Sequence, residues 1–426
     1  MDETTFLDYA AQGVFYDITD IVHDYDNILW YLNSVDGLTA DEALARTTVD
    51  GRIYGLPSIT IAKSYYSTNI RTDWLNKLGL EIPVTLDEFR NVMEQFTYGD
   101  PDGDGKDNTY GLNGRGNLDY FSQFFGAFGA RPDISYQLEG DKVVSNVTSE
   151  KFYKALEWLA AAYADGLIDP ESFTESNDEF MEKWVRGEYG IGLAWWSASG
   201  NVIARNGFLD SNPDGLLDVI DPPVGPDGLS GVIAQDPCEN YMGIAYNTDK
   251  IDAVMKLIDF AMSDYGHRVL LWGIEDQFWG RKDDGSLEWV YTTTGKDALG
   301  NDTTDMQVYR FFYNIKIENE SKVLGGSYSD EKWAQSIEVY TDIATIPNLF
   351  LGLTTEDYVT YSSDLVTYVK EMGTKFITGE ADLATGWNGY VDTFLSMGGD
   401  TVRNSLLSLY NEKNGTELTF AEDYKI

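Results

Sequence analysis

The sequence is poor in cysteine, in histidine and in positive charge. Its 426 residues hold one Cys, two His and 30 Lys plus Arg against 71 Asp plus Glu, a formal net charge of −41. Each scarcity excludes something. Cys238 alone can form neither an intramolecular disulfide nor a cysteine-rich metal site. His23 and His267 stand far apart with no nucleophile motif beside either, which removes the usual zinc chemistry. So acidic a surface repels phosphate backbones and anionic lipid headgroups, so nucleic acid and membrane surfaces are not expected partners. No run of about 18 apolar residues is present to span a bilayer. The opening Met1-Asp2-Glu3 has neither the basic nor the apolar region of a signal peptide. G-x-S-x-G, the P-loop pattern, H-E-x-x-H and a helix-opening G-x-G-x-x-G are all missing.

What is abundant is apolar and aromatic. Hydrophobic residues make up 43 % and aromatics 14 % of the chain, enough for sizeable cores despite the charge. At about 150 residues per domain the length suggests two or three domains. Thr85-Leu86-Asp87-Glu88 is a capping-box pattern, followed by Leu86, Phe89, Val92, Met93 and Phe96 at helical spacing. Thr148 or Ser149 opens a second helix, with Phe152, Ala155, Leu156, Leu159 and Tyr163 on one face and Gly166 as its stop. A short helix over 178–186 ends at Gly187, and Tyr189 to Trp195 alternates large and small residues as a strand with one crowded face. Asn240 to Tyr246 reads as a strand. The next helix carries Val254, Leu257, Ile258, Ala261 and Met262, and residues 355–412 read as helix broken at Gly373, Gly379 and Gly398-Gly399. Strands interleaved with helices of this length predict an α/β fold.

The sharpest local motif is Asp100-Pro101-Asp102-Gly103-Asp104-Gly105-Lys106-Asp107-Asn108-Thr109. Carboxylates at positions 1, 3 and 5 of a tight loop converge on one point and repel one another unless a hard cation joins them. The preceding helix enters as in an EF-hand, but position 12 is Gly111 rather than Glu, and Tyr110-Gly111-Leu112 reads as a strand or turn. The expected ion is Ca2+, held structurally by Asp100, Asp102 and Asp104, with the Lys106 carbonyl and the Asn108 side-chain oxygen. Asp107 competes, and a solvated acidic turn is the plain alternative.

Three segments mix aromatic rings with planar polar side chains: Lys63 to Asn69, Trp195 to Asn201, and Trp272 to Arg281. Sugars present apolar C–H faces that stack on rings and hydroxyls that need amide, carboxylate or guanidinium partners. Adjacent Trp195 and Trp196 at a strand end should point opposite ways, one inward and one toward a ligand. No pair of carboxylates stands out as a catalytic pair, so an enzyme is not expected, although a glycosidase needs only two.

Tyr65 to Pro83, with Arg71-Thr72-Asp73-Trp74-Leu75 and then Thr85-Leu86-Asp87-Glu88-Phe89, resembles the first lobe crossover of the extracellular solute-binding proteins of ABC importers. Phe180 to Trp196, Gly225 to Gly228, Ile258 through Glu275, Phe376 to Glu380 and Trp387 to Val391 follow in that family's order. The subgroup it resembles contains the alginate-oligosaccharide-binding and related lipoprotein receptors, which carry a calcium loop at this place. Asp276 stands where Gly is usual, and Asn108 where Asp is common. The resemblance implies a two-lobed periplasmic-binding-protein-like α/β fold, type II and maltose-binding-protein-like. The N-terminal lobe is expected at 1–62 and 238–335 and the C-terminal lobe at 66–234 and 340–426, with crossovers near 62–66, 234–238 and 335–340. Thr5 to Asp20 resembles the segment after the family's opening strand–helix–strand unit, so the first lobe is expected to be incomplete, with signal and lipid anchor lying outside this chain.

The function so implied is extracellular capture of an oligosaccharide by a monomer, between lobes, and delivery to a membrane permease without covalent chemistry. A secreted carbohydrate-active enzyme, or a binding protein for a peptide or other polar solute, is the alternative. Tyr65, Tyr66, Trp195, Trp196 and Trp279 are the candidate stacking residues. Asn113, Arg115, Glu275, Gln277 and Arg281 are the candidates for hydroxyls or an acidic sugar.

Overall fold

The computed structural model describes all residues except 2, 36, 61, 273–274, 277–278, 282–286, 290–294, 297–301 and 304–327. It divides into two units, each assembled from separate stretches of chain. One comprises Met1–Ala62 and Asp236–Asp330, the other Lys63–Gln235 and Glu331–Ile426.

The second unit is built on a four-stranded sheet in the order Tyr110–Gly114, Tyr189–Trp195, Tyr66–Arg71, Leu217–Ile220. The first two strands run parallel and the remaining pairings are antiparallel. Tyr189–Trp195 is interior to the sheet, and its small residues have a steric cause. A Cβ on Gly190 would lie 2.0 Å from the Phe96 ring, and one on Gly192 would lie 3.1 Å from the Tyr189 ring. Gly190 is thus crowded by Phe96 of helix Leu86–Tyr98, and Gly192 by Tyr189 together with Phe180 and Trp184 of helix Asn177–Arg186. Gly190→Ala should destabilise by roughly 1–3 kcal/mol through overpacking, seen as a lower urea midpoint at unchanged slope. An unchanged midpoint would show that Phe96 can move aside.

Helix Leu86–Tyr98 forms as its sequence requires. The Glu88 amide donates to Thr85 Oγ1 at 3.3 Å, and the Thr85 amide donates to Glu88 Oε2 at 2.8 Å. Two amides that the helix leaves unpaired are thereby satisfied, while Leu86, Phe89, Val92, Met93 and Phe96 turn inward. Helix Glu150–Ala164 starts from the Ser149 cap, and helix Asn177–Arg186 stops at Gly187 in the left-handed conformation, φ 74°. The C-terminal helices differ from the expected pattern at one position. Helix Glu356–Thr378 runs straight through Gly373. That glycine is buried against Leu118, where a Cβ would come within 2.7 Å, so it is small for packing and does not break the helix. Gly379 ends this helix, and Gly398, φ 116°, sits in the π turn Leu395–Gly399 between helices Leu383–Phe394 and Asp400–Asn414.

The first unit pairs strand Gly55–Ile59 antiparallel with Cys238–Gly243, so the strand expected over 240–246 starts and ends earlier. Phe6, Tyr31, Leu56, Tyr241, Met255 and Ile258 form its core. On helix Ile251–Met262 the inward position belongs to Met255, and Leu257, expected inward, is 51 % exposed. His267 is buried. Cys238 is buried as well, and burial pushes its thiol pKa up to about 12, which leaves it an inert thiol. No helix among the described residues is long and apolar enough to cross a membrane.

Candidate functional site

The parallel register that pairs Gly114 with Leu193 brings the carboxyl ends of strands Tyr110–Gly114 and Tyr189–Trp195 side by side. Arg115 follows one end and Trp195 closes the other. In open α/β sheets, ligands settle outside the carboxyl ends of strands. Here Arg115 and Trp195 line a pocket of about 220 Å³ together with Asn177, Asp178, Met181, Ser197, Ala198, Asn201 and Asn206. That is below the ~300–1,000 Å³ of a whole small-molecule site, so it suits a single ring rather than a chain of them. Its wall offers one flat aromatic surface, a guanidinium, a carboxylate and three amides.

Trp195 is braced from behind. Antiparallel register sets it opposite Tyr66. Its ring stacks on Tyr65 with centroids 4.6 Å apart and meets Tyr66 edge-on at 6.1 Å. Tyr66 in turn meets Tyr120 edge-on at 5.4 Å, and burial raises its phenol pKa well above the ordinary value, so it stays protonated. Trp196 hydrogen-bonds through its amide to the Tyr65 carbonyl at 2.8 Å and packs its ring near Tyr340 at 5.4 Å. Both tryptophans are half-buried, Trp195 against Tyr65 and Tyr66 and Trp196 against Tyr340.

Arg115 is held by its neighbours. The Gly114 amide donates to Ser172 Oγ at 3.3 Å and the Gly116 amide donates to the Ser172 carbonyl at 2.8 Å. Gly116 takes φ 68°, and a Cβ there would lie 2.1 Å from the Glu175 carbonyl oxygen, so only glycine permits this close approach. The guanidinium lies 5.3 Å above the Tyr120 ring centroid. Behind this loop is a buried ionic cluster. Lys183 Nζ is 2.7 Å from Asp169 and from Glu171, and 3.0 Å from Glu175. Burial opposes the Lys183 charge, but the three carboxylates outweigh it and hold its pKa above the ordinary value. Burial raises the Glu175 pKa.

Asn113 belongs to that cluster rather than to the pocket. It is fully buried, donates to Asp169 Oδ2 at 3.2 Å and accepts from Ser172 Oγ at 2.9 Å. The sequence offers Asn113 as a candidate for sugar hydroxyls, but its side chain is taken up by Asp169, a partner 56 residues away. Tyr65, at 6 % exposure, supports Trp195 instead of offering a face of its own. Glu275 and Arg281 come together in the other unit, 3.5 Å apart and both half-exposed. Gln277 and the Trp279 side chain lie outside the described residues, and only the backbone strand Trp279–Arg281 is described there. Asn177, Asp178 and Asn206 went unread in the sequence because a polar first turn after a Ser cap, or a polar residue after a helix, carries no signal of its own.

The aspartate loop links helix Leu86–Tyr98 to strand Tyr110–Gly114. Oxygens of Asp100, Asp102 and Asp104 lie within 4.8 Å of one another. Gly103 and Gly105 take φ 80° and 77°, and Asp100 Oδ1 accepts from the Gly105 amide at 3.2 Å. Lys77 Nζ fastens the loop by donating to the Pro101 carbonyl at 2.9 Å. Lys106 Nζ bonds Asp104 at 2.7 Å and lowers its pKa. The Asn108 amide nitrogen, not its oxygen, faces Asp104 at 3.2 Å.

A polar–aromatic pocket at strand carboxyl ends is a place where a ligand can bind. Residues 1–266 match the family model of bacterial extracellular solute-binding proteins, and the chain belongs to that family, as the sequence resemblance implied. Lipoprotein LipO of Bacillus subtilis is 25 % identical over 431 residues, covering 95 % of this chain and 79 % of that protein. The polygalacturonan/rhamnogalacturonan-binding protein YtcQ of Bacillus subtilis is 27 % identical over 301 residues, covering 67 % of this chain and 57 % of that protein. The fold is shared with the Streptococcus pneumoniae ABC-transporter substrate-binding protein FusA, solved as an EF-hand mutant with fructo-nystose. That likeness has a TM-score of 0.69 at 22 % identity, covering 98 % of this chain and 87 % of that one.

Proposed function

We propose that this protein is the extracellular receptor of an ABC importer and captures an oligosaccharide, which it delivers to a membrane permease. The observation that carries this reading is the pocket in which Trp195 and Arg115 meet at neighbouring strand ends. One sugar ring stacks on Trp195, and its hydroxyls find Arg115, Asp178 and the amides of Asn177, Asn201 and Asn206. Relatives named as polygalacturonan/rhamnogalacturonan-binding and as a fructooligosaccharide ABC-transporter substrate-binding protein support it. Capture involves no bond making, and anchoring as a surface lipoprotein fits the lipoprotein relative. Isothermal titration against oligosaccharides, with product analysis of the same mixtures, tests the reading. Binding without turnover is expected, and cleavage would make the protein an enzyme.

The aspartate loop serves as a structural calcium site in this reading. Asp100, Asp102 and Asp104 supply carboxylates, the Lys106 carbonyl adds a neutral oxygen, and Asn108 adds another once its amide turns over. The cation neutralises three like charges and fixes the loop. At a calcium concentration of about 100 Kd the unit should gain about 2.7 kcal/mol. A chelator should lower the melting temperature accordingly, and Asp102→Ala should remove the calcium response. An identical melting curve with and without chelator would discard the site.

A further inference from the structure

Arg115 differs from the other described arginines. Eight others have described side chains, and every one of them is ion-paired to an Asp or Glu. Arg115 has no carboxylate partner among the described residues, in a chain with 71 acidic side chains for 30 basic ones. Asp178 lines the same pocket without pairing with it. Its guanidinium lies over the face of Tyr120, 5.3 Å from the ring centroid. A half-buried guanidinium that has given up part of its water, and has not recovered it from a carboxylate, is a strong site for one brought by a ligand. Its backbone is fixed on both sides through Gly114 and Gly116 to Ser172, so little ordering is left to be done on binding.

We infer that the oligosaccharide captured here is an acidic one, and that Arg115 binds the carboxylate of a uronic acid residue whose ring lies on Trp195. The inference rests on the oligosaccharide reading above and narrows it. Arg115 can offer two parallel N–H donors to a planar carboxylate. Asp178 gives the pocket a direction: a ligand carboxylate is repelled there and drawn to Arg115, while Asp178 accepts from ring hydroxyls. The amides of Asn177, Asn201 and Asn206 are neutral and serve hydroxyls of either kind of sugar, so they do not discriminate. The discrimination falls on one residue.

The test compares a trisaccharide of galacturonic acid, its fully methyl-esterified form and a neutral fructose-containing trisaccharide, by isothermal titration on the full chain. The methyl ester keeps the shape and removes the charge. The acid should bind at least tenfold more tightly than its ester. Arg115→Gln should erase that difference without changing the melting temperature, and Arg115→Lys should restore part of it. Equal binding of acid and ester, or an Arg115→Gln loss of the same size for all three ligands, overturns the acidic assignment and leaves the receptor reading intact. Binding of the neutral trisaccharide alone does the same. Failure of all three, and of a wider oligosaccharide set, overturns both.

Discussion

Lys183→Met should destabilise the protein by about 3–5 kcal/mol, the effect of removing one partner from a buried ionic cluster. At roughly 2–4 °C per kcal/mol for a unit of this size, the melting temperature should fall by about 10 °C. The reason is in the exposures. The side chains of Lys183, Asp169 and Glu175 are 8 %, 2 % and 2 % exposed, whereas Glu171 is 65 % exposed and can turn to water. Without the ammonium, two carboxylates are left out of water with no cation. Glu175, whose pKa burial already raises, should take up a proton first. Its folded pKa stands above the unfolded value, so the folded state binds more protons in that window. The stability it contributes is therefore full below about pH 4.5 and is lost as pH rises through the folded pKa. The deficit of Lys183→Met should be greatest near neutrality and shrink on acidification, and Glu175→Gln in the same background should recover part of it. A deficit that is flat with pH would mean that no uncompensated carboxylate is left behind. The cluster reaches the turn that carries Arg115 through Ser172, which accepts from the Gly114 and Gly116 amides and donates to Asn113, so Lys183→Met should also weaken ligand binding.

Trp195→Ala should weaken oligosaccharide binding by roughly thirtyfold or more, about 2 kcal/mol, as expected for a central aromatic contact. Trp195→Phe should retain a good part of the affinity, because a smaller ring still offers an apolar face. The ring also stacks on Tyr65 at 4.6 Å, so a modest fall in melting temperature accompanies the loss. Titration calorimetry and thermal denaturation separate the two contributions. A large fall in melting temperature with unchanged affinity would give Trp195 a packing role only.

Much of the second unit was legible because its signals are local. The capping box at Thr85 and Glu88, the left-handed stop at Gly187 and the small–large alternation over Tyr189–Trp195 each act within a few residues, and each has the structure its spacing predicts. The aspartate loop was legible for the same reason, since all its carboxylates lie within five residues. Where the reading failed, distant contacts decided. Gly373 reads as a helix breaker, but Leu118 packs against it. Leu257 fits an inward helical face, yet Met255 faces the core.

The sequence by itself determined the family, the α/β class, most helix boundaries and the position of the aspartate loop, because caps, turns and periodicity are short-range properties of the chain. Only the tertiary structure decided which polar residues line the pocket. Asn113 and Arg115 are two positions apart on and just beyond one strand, and no local rule separates them. One is consumed by Asp169 and Ser172, 56 and 59 residues away. The other is carried past the strand end into the pocket beside Trp195, with no carboxylate partner among the described residues. Burial and ion pairing are set by partners remote in sequence, so the fold, rather than the residue type, buried the one in a polar cluster and left the other lining a pocket.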